Sequence, residues 1–254
     1  MRVARVVTTL VLAAHGSADP RSAANARAVA TQVTRMRPGL EVRPAFLDHN
    51  SPSLTDVLSR LDGPAVVTPL LLADAYHARV DVPEQIAGVG AGDAAGPLVR
   101  QRIRQARVLG EDDRLVSVLR HRVAELGVSR LDEELGVLVV AIGSSSPAAN
   151  ARTARVAPKL ASGTCWAGVA TAFATRPERS LAEGVGRLRR QGARRMVIAP
   201  WFLAPGRLPD RVERFARHIG IQMAAPLGAH QLVAETVLDR FDQALRGGVE
   251  RGAA

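Results

Sequence analysis

Cysteine, aromatic residues and lysine are all scarce in this chain of 254 residues. The single cysteine, Cys165, excludes an internal disulfide and suits a reducing cytosol, and we expect it to be a small buried apolar residue. Aromatic residues make up 3% of the chain, and the sequence contains no module of a kind that reads nucleic acid. We therefore expect no nucleic-acid partner.

Long hydrophobic runs are also missing. No stretch approaches the roughly 20 apolar residues of a membrane-spanning helix. The run at residues 6–14 follows two arginines, as in a secretory signal, but it is short, and a similar run recurs inside the chain at 137–141. Both runs are therefore predicted to be strands. We expect a soluble, cytoplasmic protein with no membrane partner.

The charge of the chain is strongly basic, with 34 basic against 24 acidic residues and a formal net charge of +10. Lys159 is the only lysine, so nearly all of this charge is carried by arginine. Guanidinium groups pair with carboxylates and phosphates through two parallel hydrogen bonds, which favours an acidic partner. The alternative interpretation is an arginine-rich solvated surface without such a partner.

One sequence pattern occurs twice. In the first copy, apolar residues 10–14 lead into HGS at 15–17, and in the second, apolar residues 137–141 lead into IGS at 142–144. Each triplet is followed three residues later by proline, and a helix-capping residue, Asp19 or Ser146, precedes that proline.

The histidines of this pattern occur only in the first copy. Residues 69–73, PLLLA, run to His77, whereas residues 200–204, PWFLA, run to Leu208 at the same offset. The first triplet likewise has histidine where the second has isoleucine. Two separate losses of histidine predict one working site beside one structural copy.

Short apolar runs alternate along the chain with longer Ala- and Arg-rich stretches of helical composition, a pattern typical of α/β proteins. We predict two duplicated lobes, each a parallel sheet with helices on both faces, related by a pseudo-twofold axis. The lobes are residues 1–130, carrying the active site, and 131–254, a degenerate repeat. Such a chain supplies its own pseudo-dimer and is compatible with a monomer. The predicted strands are residues 6–14, 42–47, 65–72, 137–141, 168–174 and 195–203.

His15 and His77 are the candidate functional residues, because each follows a predicted strand and ligands in such sheets bind beyond the carboxyl ends of the strands. Gly16 allows a close backbone approach to a ligand, and Ser17 offers a hydroxyl and an amide near a helix N-terminus. Asp81 lies one helical turn beyond His77, where its carboxylate can orient the imidazole. Alternatively, Asp81 is an ordinary carboxylate in the first turn of a helix.

The sequence resembles the sirohydrochlorin chelatases, small class II enzymes that insert a divalent metal into a tetrapyrrole. The resemblance covers nearly the whole chain. It is carried by AHGS at 14–17, Asn25, PLLL at 69–72, YH at 76–77 and DVP at 81–83. The long form of the family has two fused copies with the active histidines in the first, which is the asymmetry seen here.

The resemblance implies a lyase that inserts Fe²⁺ or Co²⁺, with Ni²⁺ a further candidate, into carboxylate-rich sirohydrochlorin without an organic cofactor. It implies His15 and His77 as catalytic residues and metal ligands, and Gly16, Ser17, Tyr76 and Asp81 as substrate-binding residues. The chemistry agrees, because imidazole accepts a proton near neutral pH and its neutral nitrogen binds these ions. Two histidines without a third ligand form an open site, suited to delivering a metal.

Two positions depart from the family pattern. Ala18 stands where the family often has a basic residue, and Ala75 stands where it commonly has glycine. These departures keep a second hypothesis open, a non-catalytic tetrapyrrole or metal-binding carrier on the same scaffold. Which metal is physiological, and whether the product enters sirohaem or cobalamin synthesis, also stays open.

Other basic residues have weaker claims. Four arginines near the motifs are interpreted as solvated surface charges: Arg21, Arg27, Arg43 and Arg79. His49 follows the second predicted strand, and a surface role is favoured over a place at the edge of the crevice. No function is assigned to His121, His218 or His230.

Overall fold

The computed structural model describes residues 8–89, 102–175 and 177–252. These residues form two four-stranded sheets in which every pair of neighbouring strands is parallel. The chain divides into two compact units. The first contains the described residues up to Gly110 together with those from Ala234 onward, and the second contains Glu111–Val233.

The first unit has the strand order β2-β1-β3-β4, so β1 lies between β2 and β3. Its elements are β1 (Thr9–Ala14), α1 (Pro20–Met36), β2 (Val42–Phe46), α2 (Leu54–Ser59), β3 (Ala65–Pro69), a π-helical segment (His77–Asp81), α3 (Val82–Ala87) and β4 (Ile103–Gln105).

The second unit repeats this arrangement with the strand order β6-β5-β7-β8. Its elements are α4 (Asp113–Ala124), β5 (Leu135–Ala141), α5 (Pro147–Thr153), α6 (Val156–Ala161), β6 (Gly168–Phe173), α7 (Pro177–Arg190), β7 (Arg195–Trp201), α8 (Arg207–His218) and β8 (Gln222–Met223). Helix α9 (Gln231–Gly252) begins at the end of this unit and continues into the first.

Helices cover both faces of each sheet, which explains why the central strands are apolar throughout. All residues of β1 and β5 are buried, as expected for strands with no solvent-facing side. In the second unit, α7 and α8 pack on one face and α4 and α6 on the other. In the first unit, α2 and α3 cover one face and α1 packs on the other. The predicted fold class is confirmed.

The helix starts follow the predicted capping. Asp19 accepts a hydrogen bond from the backbone N–H of Arg21, and Ser146 accepts one from Ala149. A further cap, Ser53 at the start of α2, was not predicted. These side chains satisfy donors that the first helical turn leaves unpaired.

Two ion-paired arginines attach the C-terminal helix to the first unit. Arg37 pairs with Asp242, its Nη1 lying 2.6 Å from Oδ1. Arg240 donates to the carbonyl oxygens of Val108 and Leu109 at 3.0 and 2.9 Å. The compact units therefore do not follow simple sequence order, and the division at residues 130 and 131 stays a prediction about the two copies.

The structure changes two expectations. Cys165 is exposed, not buried, because it lies in the connection after α6, where its backbone N–H bonds Arg130. The predicted strands at 42–47, 65–72, 168–174 and 195–203 each extend past the observed strand, because their last apolar residues belong to the loops that follow the strands. None of the helices in the described part of the chain combines the length and the hydropathy of a membrane span.

Candidate functional site

The structure brings the two predicted histidines together at the carboxyl edge of the first sheet. His15 follows β1 directly, and His77 opens the π-helical segment after β3. Since β1 and β3 are hydrogen-bonded neighbours and parallel, their carboxyl ends meet at one edge. The centroids of the two imidazole rings lie 4.0 Å apart, with 65° between the ring planes.

His77 is oriented by the carboxylate predicted to serve it. Its Nδ1 is hydrogen-bonded to Oδ2 of Asp81, four residues further along the π-helical segment. With an ionised carboxylate as the acceptor, Nδ1 carries the proton and donates it. The lone pair of the neutral ring is then on Nε2, where it can accept a proton or bind a metal.

His15 lies in a different environment. Its Nδ1 is buried and has no hydrogen-bond partner among the described residues. Burial lowers the pKa of His15 below 6.5, and the neighbouring His77 lowers it further, while the charge of Asp48 opposes these effects. The ring is therefore neutral at physiological pH, the form that binds metal ions or accepts protons.

Gly16 is required by the packing of the loop after β2. It has φ of +91°, and a Cβ at this position would lie 1.9 Å from the carbonyl oxygen of Asp48. The N–H of Asp48 in turn donates to the carbonyl of His15 at 2.9 Å. The close approach predicted for Gly16 is thus made to the protein's own backbone.

The polar groups of Ser17 bond within the same loops. Its backbone N–H donates to Oδ1 of Asn50 at 2.7 Å, and its Oγ accepts from the N–H of Asp19 at 3.0 Å. The amide that was predicted to face a ligand is therefore occupied. The hydroxyl proton of Ser17 takes no part in these two hydrogen bonds.

Tyr76 presents a large exposed ring beside the histidine pair. Its residue is 60% exposed, and its ring meets the ring of His77 edge-on, at 6.1 Å between centroids and 82° between planes. An exposed aromatic face next to two imidazoles is suited to contact a flat, conjugated ligand.

The loop after β2 supports the HGS triplet, a role that was not predicted from the sequence. Asp48 and Asn50 bond to the backbone of the HGS triplet, and His49 between them has a left-handed backbone with φ of +61°. Arg27 supports this loop by donating to the carbonyl of Ser51 at 3.0 Å. Because β2 flanks β1, its carboxyl end reaches the same edge of the sheet as that of β1. This strand order could not be read from the sequence.

The other three arginines near the motifs form ion pairs with neighbouring carboxylates. The pairs are Arg21 with Asp19, Arg43 with Glu41 and Arg79 with Asp74. Each pair is at least partly solvent-exposed, and such pairs contribute little to stability.

Comparison with known proteins identifies the family. A sequence model described as CbiX matches residues 9–126 and, a second time, residues 136–244. The chain belongs to the CbiX family. The resemblance stated from the sequence is thereby confirmed.

Among curated proteins, this CbiX chain is similar to the sirohydrochlorin cobaltochelatase of Priestia megaterium, with 25% identity over 95% of this chain and 81% of that protein. It is also similar to the sirohydrochlorin ferrochelatase of the same organism, at 29% identity over 58% of this chain. In that second case the match spans 53%, about half, of the relative's length. The solved structure described as SirB from Bacillus subtilis with Fe3+ shares the fold, with a TM-score of 0.78, 22% identity, and coverage of 94% and 95% of the two chains.

The second CbiX copy keeps the backbone arrangement of the first but lacks both histidines. Ile142 occupies the position of His15 and is 50% exposed. Gly143 repeats the positive φ of its counterpart, at +90°, and Ser144 again donates its N–H to an asparagine, here Asn150, at 2.8 Å. Leu208, at the position of His77, is the second residue of a regular α-helix.

The remaining histidines of this CbiX chain lie in the second unit. The rings of His121 and His230 are 5.9 Å apart, but Nδ1 of His230 accepts the N–H of Leu232 and so belongs to the start of α9. Among the described residues, no group of three or more histidine, cysteine or acidic side chains is arranged to hold a metal ion. The first-copy pair is therefore an open, two-imidazole site.

Proposed function

We propose that this protein is a sirohydrochlorin chelatase, which inserts Fe²⁺ or Co²⁺ into a carboxylate-rich tetrapyrrole with His15 and His77 as metal ligands and proton acceptors. The observation that carries the proposal is the pair of imidazole rings whose centroids lie 4.0 Å apart in the CbiX copy that kept its motifs. The curated relatives named sirohydrochlorin cobaltochelatase and ferrochelatase support the substrate and both metals.

Metal insertion needs two events at one place. Two protons must leave the inner nitrogens of the macrocycle, and a cation must exchange part of its water shell for those nitrogens. Neutral imidazole serves both needs, because its lone pair binds a first-row divalent ion and also accepts a proton near neutral pH.

The two histidines divide this work according to their surroundings. Asp81 fixes the tautomer of His77 and stabilises the imidazolium that forms when Nε2 takes a proton. Burial lowers the pKa of His15, so it releases a proton readily and stays available as a ligand. An open pair of ligands holds the ion weakly enough to pass it on, whereas a four-ligand structural site is closed.

The surrounding residues bind and orient the macrocycle. The exposed ring of Tyr76 offers a flat face beside the imidazoles, the hydroxyl of Ser17 donates to a carboxylate, and Gly16 keeps the loop close to His15. The site needs no organic cofactor for this chemistry. Ni²⁺ is a further candidate ion, because imidazole accepts it as readily as the other two.

The protein in this proposal acts in the cytoplasm as a monomer, without a nucleic-acid or membrane partner. The internal duplication supports the monomer, since the second copy supplies the scaffold that a second subunit would otherwise provide. The single cysteine supports a reducing compartment.

The proposal is tested by an anaerobic insertion assay that follows the absorbance of sirohydrochlorin with Fe²⁺, Co²⁺ and Ni²⁺ in parallel. We expect the wild type to accelerate insertion over the protein-free rate, and His15→Ala and His77→Ala each to lower kcat by about 100-fold or more. Ile142→Ala, at the equivalent position of the second copy, should match the wild type. Equal rates in the wild type and the histidine variants would refute the site, and stoichiometric binding without turnover would indicate a carrier.

A further inference from the structure

The π-helical segment that presents His77 creates an unusual demand for a hydrogen-bond donor. Within it, the N–H of Val82 donates to the carbonyl of His77, five residues back. In the same register the carbonyl of Ala78 would accept from residue 83. That residue is Pro83, which has no backbone N–H. Since Ala78 is 4% exposed, water does not easily replace the missing donor.

Gln105 supplies this donor from the sheet. Its Nε2 donates to the carbonyl oxygen of Ala78 at 2.7 Å. Gln105 is the last residue of β4 and is paired in register with Val67 of β3, the strand that leads towards His77. The amide therefore attaches the π-helical segment to the edge strand of the same sheet.

The second copy shows what the fold does without this demand. Met223 of β8 pairs with Ile198 of β7, which lies two residues before Pro200 as Val67 lies two before Pro69. Met223 thus occupies the position of Gln105 and offers no donor.

The helix of the second copy needs no such donor. At the position of Pro83 it has Arg214, whose backbone N–H is intact, and α8 is a regular α-helix. The histidine, the π-helical segment, the proline and the glutamine are therefore all present in one copy and all missing in the other.

We infer that Gln105 is a positioning residue of the proposed metal site. By donating to the carbonyl of Ala78, Gln105 fixes the π-helical segment, and this keeps His77 hydrogen-bonded to Asp81 and in contact with His15. Its effect on catalysis rests on the proposed function. Its effect on the position of His77 does not.

The first test compares Gln105→Met, which copies the second repeat, with Gln222→Met, an exposed glutamine on the corresponding strand of the second unit. We expect Gln105→Met to shift the imidazole ¹⁵N resonances of His77 and to weaken Co²⁺ binding about tenfold. It should also lower kcat for insertion without changing KM for the tetrapyrrole. Gln222→Met should behave as the wild type in all four measurements.

The second test is a double-mutant cycle with Pro83→Ala, which restores a backbone N–H that can bond the carbonyl of Ala78 directly. In this background we expect Gln105→Met to cost less than half of the loss in Co²⁺ affinity that it causes alone. Additive losses would show that Gln105 only supports the strand edge and would overturn the inference.

Unchanged His77 resonances in Gln105→Met would also overturn it. If the wild-type protein does not insert metal, the proposed function fails, while the resonances of His77 still decide the role of Gln105.

Discussion

His15 and His77 differ in protonation chemistry because of what surrounds each ring. His77 has a carboxylate partner, while the buried Nδ1 of His15 has no hydrogen-bond partner among the described residues. Burial and the neighbouring imidazole both disfavour the charged form of His15 and lower its pKa. A lowered pKa keeps the ring neutral, and therefore able to bind metal, in mildly acidic solution.

The lowered pKa of His15 makes the stability of the fold depend on pH. In the unfolded chain His15 titrates at its ordinary pKa of 6.5, so between the lowered pKa and 6.5 the unfolded state binds more protons than the folded state. The free energy of unfolding should rise with pH through this window and gain nothing further from His15 above 6.5.

An NMR titration of the imidazoles tests this assignment. We expect the pKa of His15 to lie below 6.5 in the wild type and to rise in His77→Gln, because that substitution removes a like charge and leaves the burial in place. A pKa of 6.5 or above for His15 in the wild type would show that its ring is not desolvated as the structure describes.

At the scale of elements, the site depends on three loops that leave the carboxyl ends of β1, β2 and β3. The loop after β2 lies against Gly16 so closely that a Cβ there would meet the carbonyl of Asp48 at 1.9 Å. Gly39 has nearly the same backbone, with φ of +87°, but nothing within 4 Å of its missing Cβ. Substitutions at these two glycines therefore distinguish the cost of backbone strain from the cost of disturbed loop packing.

We expect Gly39→Ala to lower the free energy of unfolding by about 1–2 kcal/mol, the cost of a left-handed alanine. Gly16→Ala should lower it by distinctly more and abolish insertion, because the two loops can no longer meet. Urea denaturation and the insertion assay measure both effects. Equal destabilisation by the two substitutions would mean that the loop after β2 does not close on Gly16.

The elements that the sequence predicts well are those whose signals are local. The apolar runs before His15 and before Ile142 had to be buried strands, and Asp19 and Ser146 cap helices because the capping oxygen and the following proline act within one turn. The edge strands β4 and β8 are three and two residues long, too short for a periodic pattern to identify.

The π-helical segment was equally invisible, because the spacing from His77 to Asp81 is that of an ordinary helical turn. Its donor, Gln105, comes from a strand 27 residues away from Ala78, and no local pattern connects the two. The exposure of Cys165 depends in the same way on which neighbours the fold supplies.

At the scale of the whole molecule, duplication and charge are the features that a single site does not explain. The periodicity of a helix predicts that it packs but not against which sheet. The sequence therefore did not reveal that most of α9 clusters with the first unit while α4 clusters with the second. The net charge of +10 is also a property of the whole chain. It attracts the carboxylates of the proposed tetrapyrrole and repels the metal cation.

We predict that salt changes the KM values of these two substrates in opposite directions. Raising sodium chloride from about 0.05 M to about 0.5 M shortens the screening length several-fold. It should raise KM for the polycarboxylate tetrapyrrole, lower KM for the metal ion, and leave kcat unchanged, since long-range charge alters encounter more than chemistry. Steady-state kinetics at several salt concentrations measure this. If both KM values move in the same direction, electrostatic steering by the basic surface does not operate.

His15 and His77, although far apart in the sequence, are expected to bind one metal ion together. Crystals of the protein loaded with Co²⁺, with anomalous diffraction at the cobalt edge, test it most directly. We expect a single cobalt within about 2 Å of a ring nitrogen of each histidine, the usual length of a bond from imidazole to a first-row ion, and its loss in His77→Ala. A cobalt bound by only one of the two rings, or bound elsewhere while both rings stay free, would contradict it.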